Sequence, residues 1–343
     1  MNKNIKTKIL ELFQTAKFNE PLKNHCSFHI GGPADAFIEI KTLDKKNLAL
    51  LKSILKFLKS NKIPFFILGS GTNTLFHDKG FRGMVIRITA NNIKFEPKKV
   101  TVEAGVILQT LITKTKQKGF NNLTQLTGIP GTIGGAIRGN AGANGLEIKD
   151  VLIKAEILNP RTGEIRTASH SSLKLSYRKS ILKKTKELIL KAEFKLSKIP
   201  KNKLSAEKLN LKRIKTQPYG LSAGSFFKNP DYEKMKKDPK IPKITKAIPS
   251  GKFKAGYLIE QCGLKGKKIG GAKISERHAN FIQKLPDSKT ATPQKDVLAL
   301  ADLAKKEVFK KFKIKLEEEV EIVPEKPNKN PTIKPLRVNK NKF

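Results

Sequence analysis

Two glycine-rich runs are the first places where this sequence could do chemistry. Gly69-Ser70-Gly71-Thr72-Asn73 follows directly on the apolar run 63–68, and 128–145 is the most glycine-dense stretch of the chain. Glycine-x-glycine after a strand opens the dinucleotide-binding fingerprint, which also demands an immediate helix and an acidic residue about 20 positions on. Here Leu75-Phe76-His77-Asp78-Lys79-Gly80 reads as strand and turn, and Asn91-Asn92 stands where the acid belongs. Two readings stay open for the first run: a tight turn between strands, or a loop whose backbone N–H groups cradle a diphosphate with no helix behind it. The second run is Gly128-Ile129-Pro130-Gly131-Thr132-Ile133-Gly134-Gly135-Ala136, continuing into Asn140-Ala141-Gly142-Ala143. Glycines this dense lose much backbone entropy when ordered. One or two can be structural; the set points to a main chain that approaches a flat or phosphorylated ligand. Cys26 and Cys262 stand outside any redox or metal spacing and read as packed thiols, so no metal site is expected.

Helical spacing of Leu48, Leu51, Leu55 and Leu58 predicts a helix over 44–61 with Asp44 as N-cap, followed by a buried strand at 63–68. Strands are expected at 81–88 and 100–104, then a helix over 106–118 with Leu108, Leu111 and Ile112 inward and Gly119 at its end. A hairpin follows, 151–159 with 164–168 around Pro160-Arg161-Thr162-Gly163, and a strand at 188–195. The lysine-rich stretch to Lys215 marks a domain boundary. Beyond it a smaller α+β unit holds a short helix at 255–262 closed by Gly263, a long one at 294–312 with Val297, Leu300, Ala304 and Val308 on one face, and a last strand at 314–323. The tail 324–343, rich in Pro, Lys and Asn, reads as disordered and basic.

The length of 343 residues suggests two domains, and 38% hydrophobic with 29% charged residues supports packed cores. Two cysteines exclude a disulfide scaffold and fit a reducing compartment. No apolar run approaches the ~20 residues that span a bilayer. The start MNKNIKTKILELF lacks a long apolar stretch and a cleavage site, so a cytoplasmic protein without signal peptide is expected. The net charge of +41 raises nucleic-acid binding as an alternative. Lysine is spread over every expected element, however, and 4 Tyr with no Trp supply a poor stacking platform. The reading is a solvated lysine-rich surface with no specific nucleic-acid partner.

Further motifs extend the pattern: Ser27-Phe28-His29-Ile30-Gly31-Gly32-Pro33-Ala34-Asp35, Ser176-Tyr177-Arg178-Lys179-Ser180, and Ser222-Ala223-Gly224-Ser225-Phe226-Phe227-Lys228-Asn229-Pro230. Ala255 to Gly271 then runs on to Ser275-Glu276-Arg277-His278-Ala279-Asn280-Phe281, and Leu316 to Val320 closes the series. With both glycine runs and in this order, they resemble the UDP-N-acetylenolpyruvoylglucosamine reductases, flavin enzymes of peptidoglycan precursor synthesis, over about 24–323. Thr216-Gln217-Pro218 before the serine loop is similar to the shorter form of the family, which lacks an extra tyrosine-bearing loop.

The resemblance implies an α+β fold: a two-lobed FAD-binding domain of the vanillyl-alcohol-oxidase (PCMH) type at 24–197, with lobes at about 24–90 and 91–197. An N-terminal helix and extension at 1–23 precedes it, and an α+β substrate-binding domain at 198–323 follows. It implies NADPH as reductant, UDP-N-acetylglucosamine enolpyruvate as substrate and a monomer. Arg178, Ser225 and Glu319 are then the catalytic residues: Arg178 and Glu319 for the developing enolate, Ser225 as proton donor. Glu319 is chosen within Glu317-Glu318-Glu319 because the family's acid directly precedes the residue matching Val320. The cofactor-binding set is Gly69, Ser70, Gly71, Thr72, Asn73, Ile129, Pro130, Gly131, Thr132, Gly134, Gly135, Asn140, Ala141 and Gly142. Tyr177, Lys228, Asn229 and His278 are the substrate-binding set. No His or Cys stands inside either glycine run, which favours non-covalent FAD. Ser176 replaces the family's usual Gly, and Arg138 puts a cation in a usually apolar slot. The alternative is another FAD oxidoreductase on the same scaffold, lacking the Ser225 and Glu319 segments.

Overall fold

The computed structural model describes residues 1–198, 205–231, 254–286 and 293–326; the tail read over 324–343 lies outside them from 327 on. The first lobe is built on β1 (Lys17–Pro21), β2 (Pro33–Ile40), β3 (Phe65–Leu68), β4 (Thr74–Phe76) and β5 (Phe81–Ile88). Four of them form a sheet in the order β1-β2-β5-β3, with β2, β5 and β3 mutually parallel and β1 antiparallel on the edge. The stretch 1–23, read as a helix and extension, thus supplies helix α1 (Lys3–Leu12) and an edge strand hydrogen-bonded into this sheet. Helix α2 (Lys45–Ser60) makes the crossover from β2 to β3. Asp44 caps it, its carboxylate accepting from Asn47 N at 2.8 Å. Its buried Leu51, Ile54, Leu55 and Leu58 each contribute about 1.5–3 kcal/mol relative to exposure.

A parallel sheet is stable when both faces are covered, and here the alternation of side chains sends each face to a different core. Ala36, Ile38, Ile40, Met84 and Ile86 pack with α2 and with the second lobe. Ala34, Phe37, Phe81 and Val85 pack with Phe226, Phe227, Val297 and Leu300 of the C-terminal unit. The first sheet is therefore the middle layer of the molecule.

The second lobe is a five-stranded antiparallel sheet, β11-β10-β12-β7-β6. Its strands are β6 (Ile93–Glu96), β7 (Lys99–Glu103), β10 (Leu152–Leu158), β11 (Ile165–Ser169) and β12 (Leu188–Lys195). Helix α3 (Leu108–Gln117), helix α4 (Ile133–Gly139), the small hairpin β8 (Gly142–Ala143) and β9 (Leu146–Glu147), and helix α5 (Leu182–Thr185) fill the connections. The second glycine run, read as a loop, therefore contains a short helix, started by the Thr132 hydroxyl accepting from Gly135 N.

The C-terminal unit holds α6 (Ala206–Thr216), α7 (Ala255–Gln261), α8 (Pro293–Phe312) and the antiparallel sheet β13 (Lys268–Ile269), β14 (Ala272–Ile274), β15 (Ile282–Lys284). The strand expected over 314–323 is shorter: only β16 (Glu321–Val323) is regular, and it pairs in parallel with β4 of the first lobe. The residues before it are held as an irregular ladder, Lys228 N donating to Glu317 O at 2.9 Å and Glu319 N to Phe226 O at 2.8 Å. Their alternating burial at Ile314, Leu316 and Val320 mimics a strand in the sequence.

Gly71, in the turn from β3 to β4, has φ +63°, and a Cβ there would stand 2.2 Å from His25 O. Gly71→Ala is expected to destabilise the fold by about 3 kcal/mol, combining left-handed strain and overpacking. Urea unfolding reads this directly; an unchanged midpoint would refute the crowding.

Candidate active site

A cleft of about 740 Å³, its open mouth included, lies between the lobes. β3, Gly69, Ala104, Thr132, Gly134, Gly135, Arg138, Leu188, Ile189 and Glu321 line it. The two glycine runs meet at its wall. A Cβ on Gly69 would stand 2.5 Å from Thr132 Oγ1, and Thr72 Oγ1 donates to Pro130 O at 3.4 Å. The amides of Ser70, Gly71, Thr72 and Asn73 find no acceptor among the described residues, so a run of N–H donors is left to a ligand. Small residues and open donors fit a flat, phosphorylated cofactor.

Not every residue of the expected cofactor set is free to touch one. Asn140 is fully buried in a left-handed conformation. Its Nδ2 donates to Glu147 Oε2 and to Ser176 O, both at 3.0 Å, and its Oδ1 accepts from Lys149 N. With its side chain committed inside the protein, Asn140 braces the Tyr177–Arg178 turn. Ala141 and Gly142 belong to the hairpin segment beside it. The Arg138 guanidinium makes a bidentate pair with Glu321 at the cleft wall.

Arg178 and Glu319 meet beside the first glycine run. The guanidinium Nε pairs with Glu319 Oε1, and Nη2 donates to Gly142 O at 3.3 Å. Asn73 Nδ2 donates to Glu319 O at 3.0 Å, so the first glycine run holds the backbone of the acid. Ser225 lies one residue before Phe226, whose carbonyl accepts from Glu319 N, which brings the serine loop to the same place. Asn280, buried, locks that loop by exchanging two hydrogen bonds with the backbone of Phe227 at 2.9 and 2.8 Å. Ser27 Oγ donates to Ser222 O at 2.7 Å from the other side.

The expected substrate residues divide. Tyr177 Oη accepts from Asn229 N at 3.2 Å, and Lys228 pairs with Glu317 at 3.1 Å, so all three edge the Arg178–Glu319 contact. His278 makes the contacts of a packed loop histidine: its ring lies 5.0 Å from Phe281, and Nδ1 accepts from Asn280 N. Burial lowers its pKa. Sequence reasoning missed the Arg138–Glu321 pair and the bracing role of Asn280. Among the described residues no cluster of His, Cys, Asp and Glu could hold a metal, and no helix is long and apolar enough to cross a membrane.

Burial pushes the Glu319 carboxyl above the ordinary carboxylate range, against the pull of Arg178, Lys183 and Lys228. The folded state therefore holds this proton more tightly than the unfolded chain, whose Glu titrates near about pH 4.3. The associated stability is fully present below that value and is lost as pH rises through the folded pKa. Glu319→Gln removes the slope but not the constant charge of Arg178. Urea midpoints measured from pH 4 upward should show wild type losing stability relative to Glu319→Gln; a flat or opposite difference rejects the raised pKa.

Comparison with known proteins agrees with this architecture. Residues 46–169 match an FAD binding domain, and residues 217–323 match the C-terminal domain of UDP-N-acetylenolpyruvoylglucosamine reductase. The chain is 40% identical over 312 residues to the UDP-N-acetylenolpyruvoylglucosamine reductase of Alkaliphilus oremlandii, covering 90% of this chain and 93% of that one. It is 36% identical over 311 residues to the enzyme of that name from Bacillus subtilis, covering 89% and 93%. A crystal structure of UDP-N-acetylenolpyruvylglucosamine reductase from Thermus caldophilus superposes with a TM-score of 0.69 at 29% identity, over 90% of this chain and 98% of that one. The α+β fold with a two-lobed, PCMH-type FAD-binding domain and a smaller unit is the one expected. With both domains in order and relatives at this identity along nearly its whole length, the chain belongs to the UDP-N-acetylenolpyruvoylglucosamine reductase family of flavin-dependent oxidoreductases.

Proposed function

We propose that the protein reduces UDP-N-acetylglucosamine enolpyruvate to UDP-N-acetylmuramate with NADPH as reductant. The observation that supports this reading is the convergence of Arg178, Glu319 and the Ser225 loop beside the glycine-walled cleft. The amides of 70–73, with Gly69 and the segment Ile129, Pro130, Gly131, Thr132, Gly134 and Gly135, are the groups that would hold FAD. The chemistry a bound flavin supplies is hydride transfer, accepted from NADPH and delivered to the terminal vinyl carbon of the enolpyruvyl ether.

Addition of hydride at that terminus makes a methyl group and places negative charge on the adjacent carbon and its carboxylate. Preorganised cationic and hydrogen-bonding groups in a partly dry site are the effective response to such charge. Arg178 takes the carboxylate: a guanidinium binds it in a two-pronged fashion and keeps its proton. When the guanidinium turns from Glu319 to the substrate, the acid loses the partner that most strongly holds its pKa down. Glu319 is then favoured in its neutral form, a donor to the developing enolate. Ser225 gives its hydroxyl proton to the adjacent carbon, completing the saturated ether. A hydroxyl is a weak acid, so its efficacy depends on being held against a strongly basic carbon. The two backbone hydrogen bonds of Asn280 and the ladder to Glu319 do that holding. Tyr177, Lys228 and Asn229 line the approach for the substrate nucleotide.

The FAD-loaded protein should lose its flavin absorbance when NADPH is added anaerobically and regain it with the enolpyruvyl nucleotide. Failure of the second step rejects the substrate. Ser225→Ala should leave reduction by NADPH unchanged and slow reoxidation by about 10²–10⁴-fold, the usual span for a positioned proton donor. Stopped-flow traces of the two half-reactions separate these effects.

A further inference from the structure

Tyr177 and Arg178 form the tip of a tight turn in which Ser176 and Lys179 exchange both backbone hydrogen bonds, at 3.1 and 2.9 Å. Arg178 stands in it at φ +56°. A turn with positive φ at its third residue ordinarily selects glycine, because an L side chain is strained there. Surrounding structure must therefore hold the arginine in place. Asn140 holds the carbonyl of Ser176, and Ser180 Oγ donates to Arg138 O at 2.6 Å, but neither touches the Arg178 backbone. Lys183 does: from α5, anchored by the fully buried Leu182, its Nζ donates to Arg178 O at 2.9 Å.

The setting of this lysine is not one that folding alone favours. Its ammonium is substantially desolvated and shares its surroundings with the cations Arg138 and Lys228 as well as with Glu321 and Glu319. Burial and Arg138 together draw its pKa down. Both neighbouring carboxylates are already paired, Glu321 with Arg138 and Glu319 with Arg178. What Lys183 gains in return is the Arg178 carbonyl.

We propose that Lys183 is a positioning residue for Arg178: its ammonium, bonded to the Arg178 carbonyl, holds the turn left-handed and so sets the guanidinium against Glu319. The inference rests on the function proposed above, because only then does the aim of Arg178 govern a rate. Lys183 acts through the arginine and not on the substrate, so its loss strikes the step that needs the guanidinium and spares the earlier one.

The test uses the FAD holoenzyme of wild type, Lys183→Met and Lys183→Arg, with each half-reaction followed by stopped flow. In Lys183→Met, reduction by NADPH is expected at the wild-type rate. Reoxidation by saturating enolpyruvyl nucleotide is expected to slow by about 10–100-fold, the scale of a misaimed catalytic group. Lys183→Arg, which keeps a cationic donor, should recover most of that loss. Reoxidation of Lys183→Met at the wild-type rate, or a loss that Lys183→Arg does not reverse, overturns the proposal. If wild type itself is not reoxidised by the nucleotide, the functional reading fails separately. A crystal structure of Lys183→Met then decides the point: a turn released from φ near +56° with Arg178 withdrawn from Glu319 supports the role, and an unaltered turn overturns it.

Discussion

The contact between the Arg178 guanidinium and the Glu319 carboxyl is the constraint around which the molecule is arranged. Both side chains are largely removed from water, at 21% and 16% exposure, and desolvating two charges is tolerable only when geometry and further hydrogen bonds compensate. Each partner is accordingly tied by its main chain. Glu319 is held at its N–H by Phe226 and at its carbonyl by Asn73; Arg178 is held at its carbonyl by Lys183. Those anchors come from the first lobe, the second lobe and the C-terminal unit, so one ion pair requires all three to be in register.

The first sheet makes that registration possible. Its two faces feed two different cores, one shared with the second lobe and one with the C-terminal unit. Shifting a strand by one residue would exchange these faces and empty both cores at once. The core shared with the second lobe and the core beneath the serine loop are therefore both built on the same strands, β2 and β5.

Much of this was legible in the amino acids, and the reasons differ by element. The leucine spacing of α2 and its Asp44 cap reported a helix because both are local and periodic. The roles given to Arg178, Ser225 and Glu319 rest on resemblance alone, since an arginine after a tyrosine or a serine after a glycine says nothing of what it faces. Burial every second residue from Ile314 to Val320 looked like a strand, yet the hydrogen bonds there are irregular: periodicity reports which side is covered, not by what. Asn140 enters the expected cofactor set through the resemblance, while its three internal hydrogen bonds are visible only in space. The pairing of Arg138 with Glu321 had no sequence trace at all, because nothing local links helix α4 to a strand so far along the chain.

The parallel pairing of β16 with β4 has a bearing on how the protein is made. A nascent chain leaving the ribosome would expose β4 long before its partner strand has been synthesised, and Asn73 would wait for the carbonyl of Glu319 just as long. The rim that joins β4 to β16 can close only after translation has passed Val323. Premature termination upstream of that point would leave β4 without its partner strand and Asn73 without the Glu319 carbonyl.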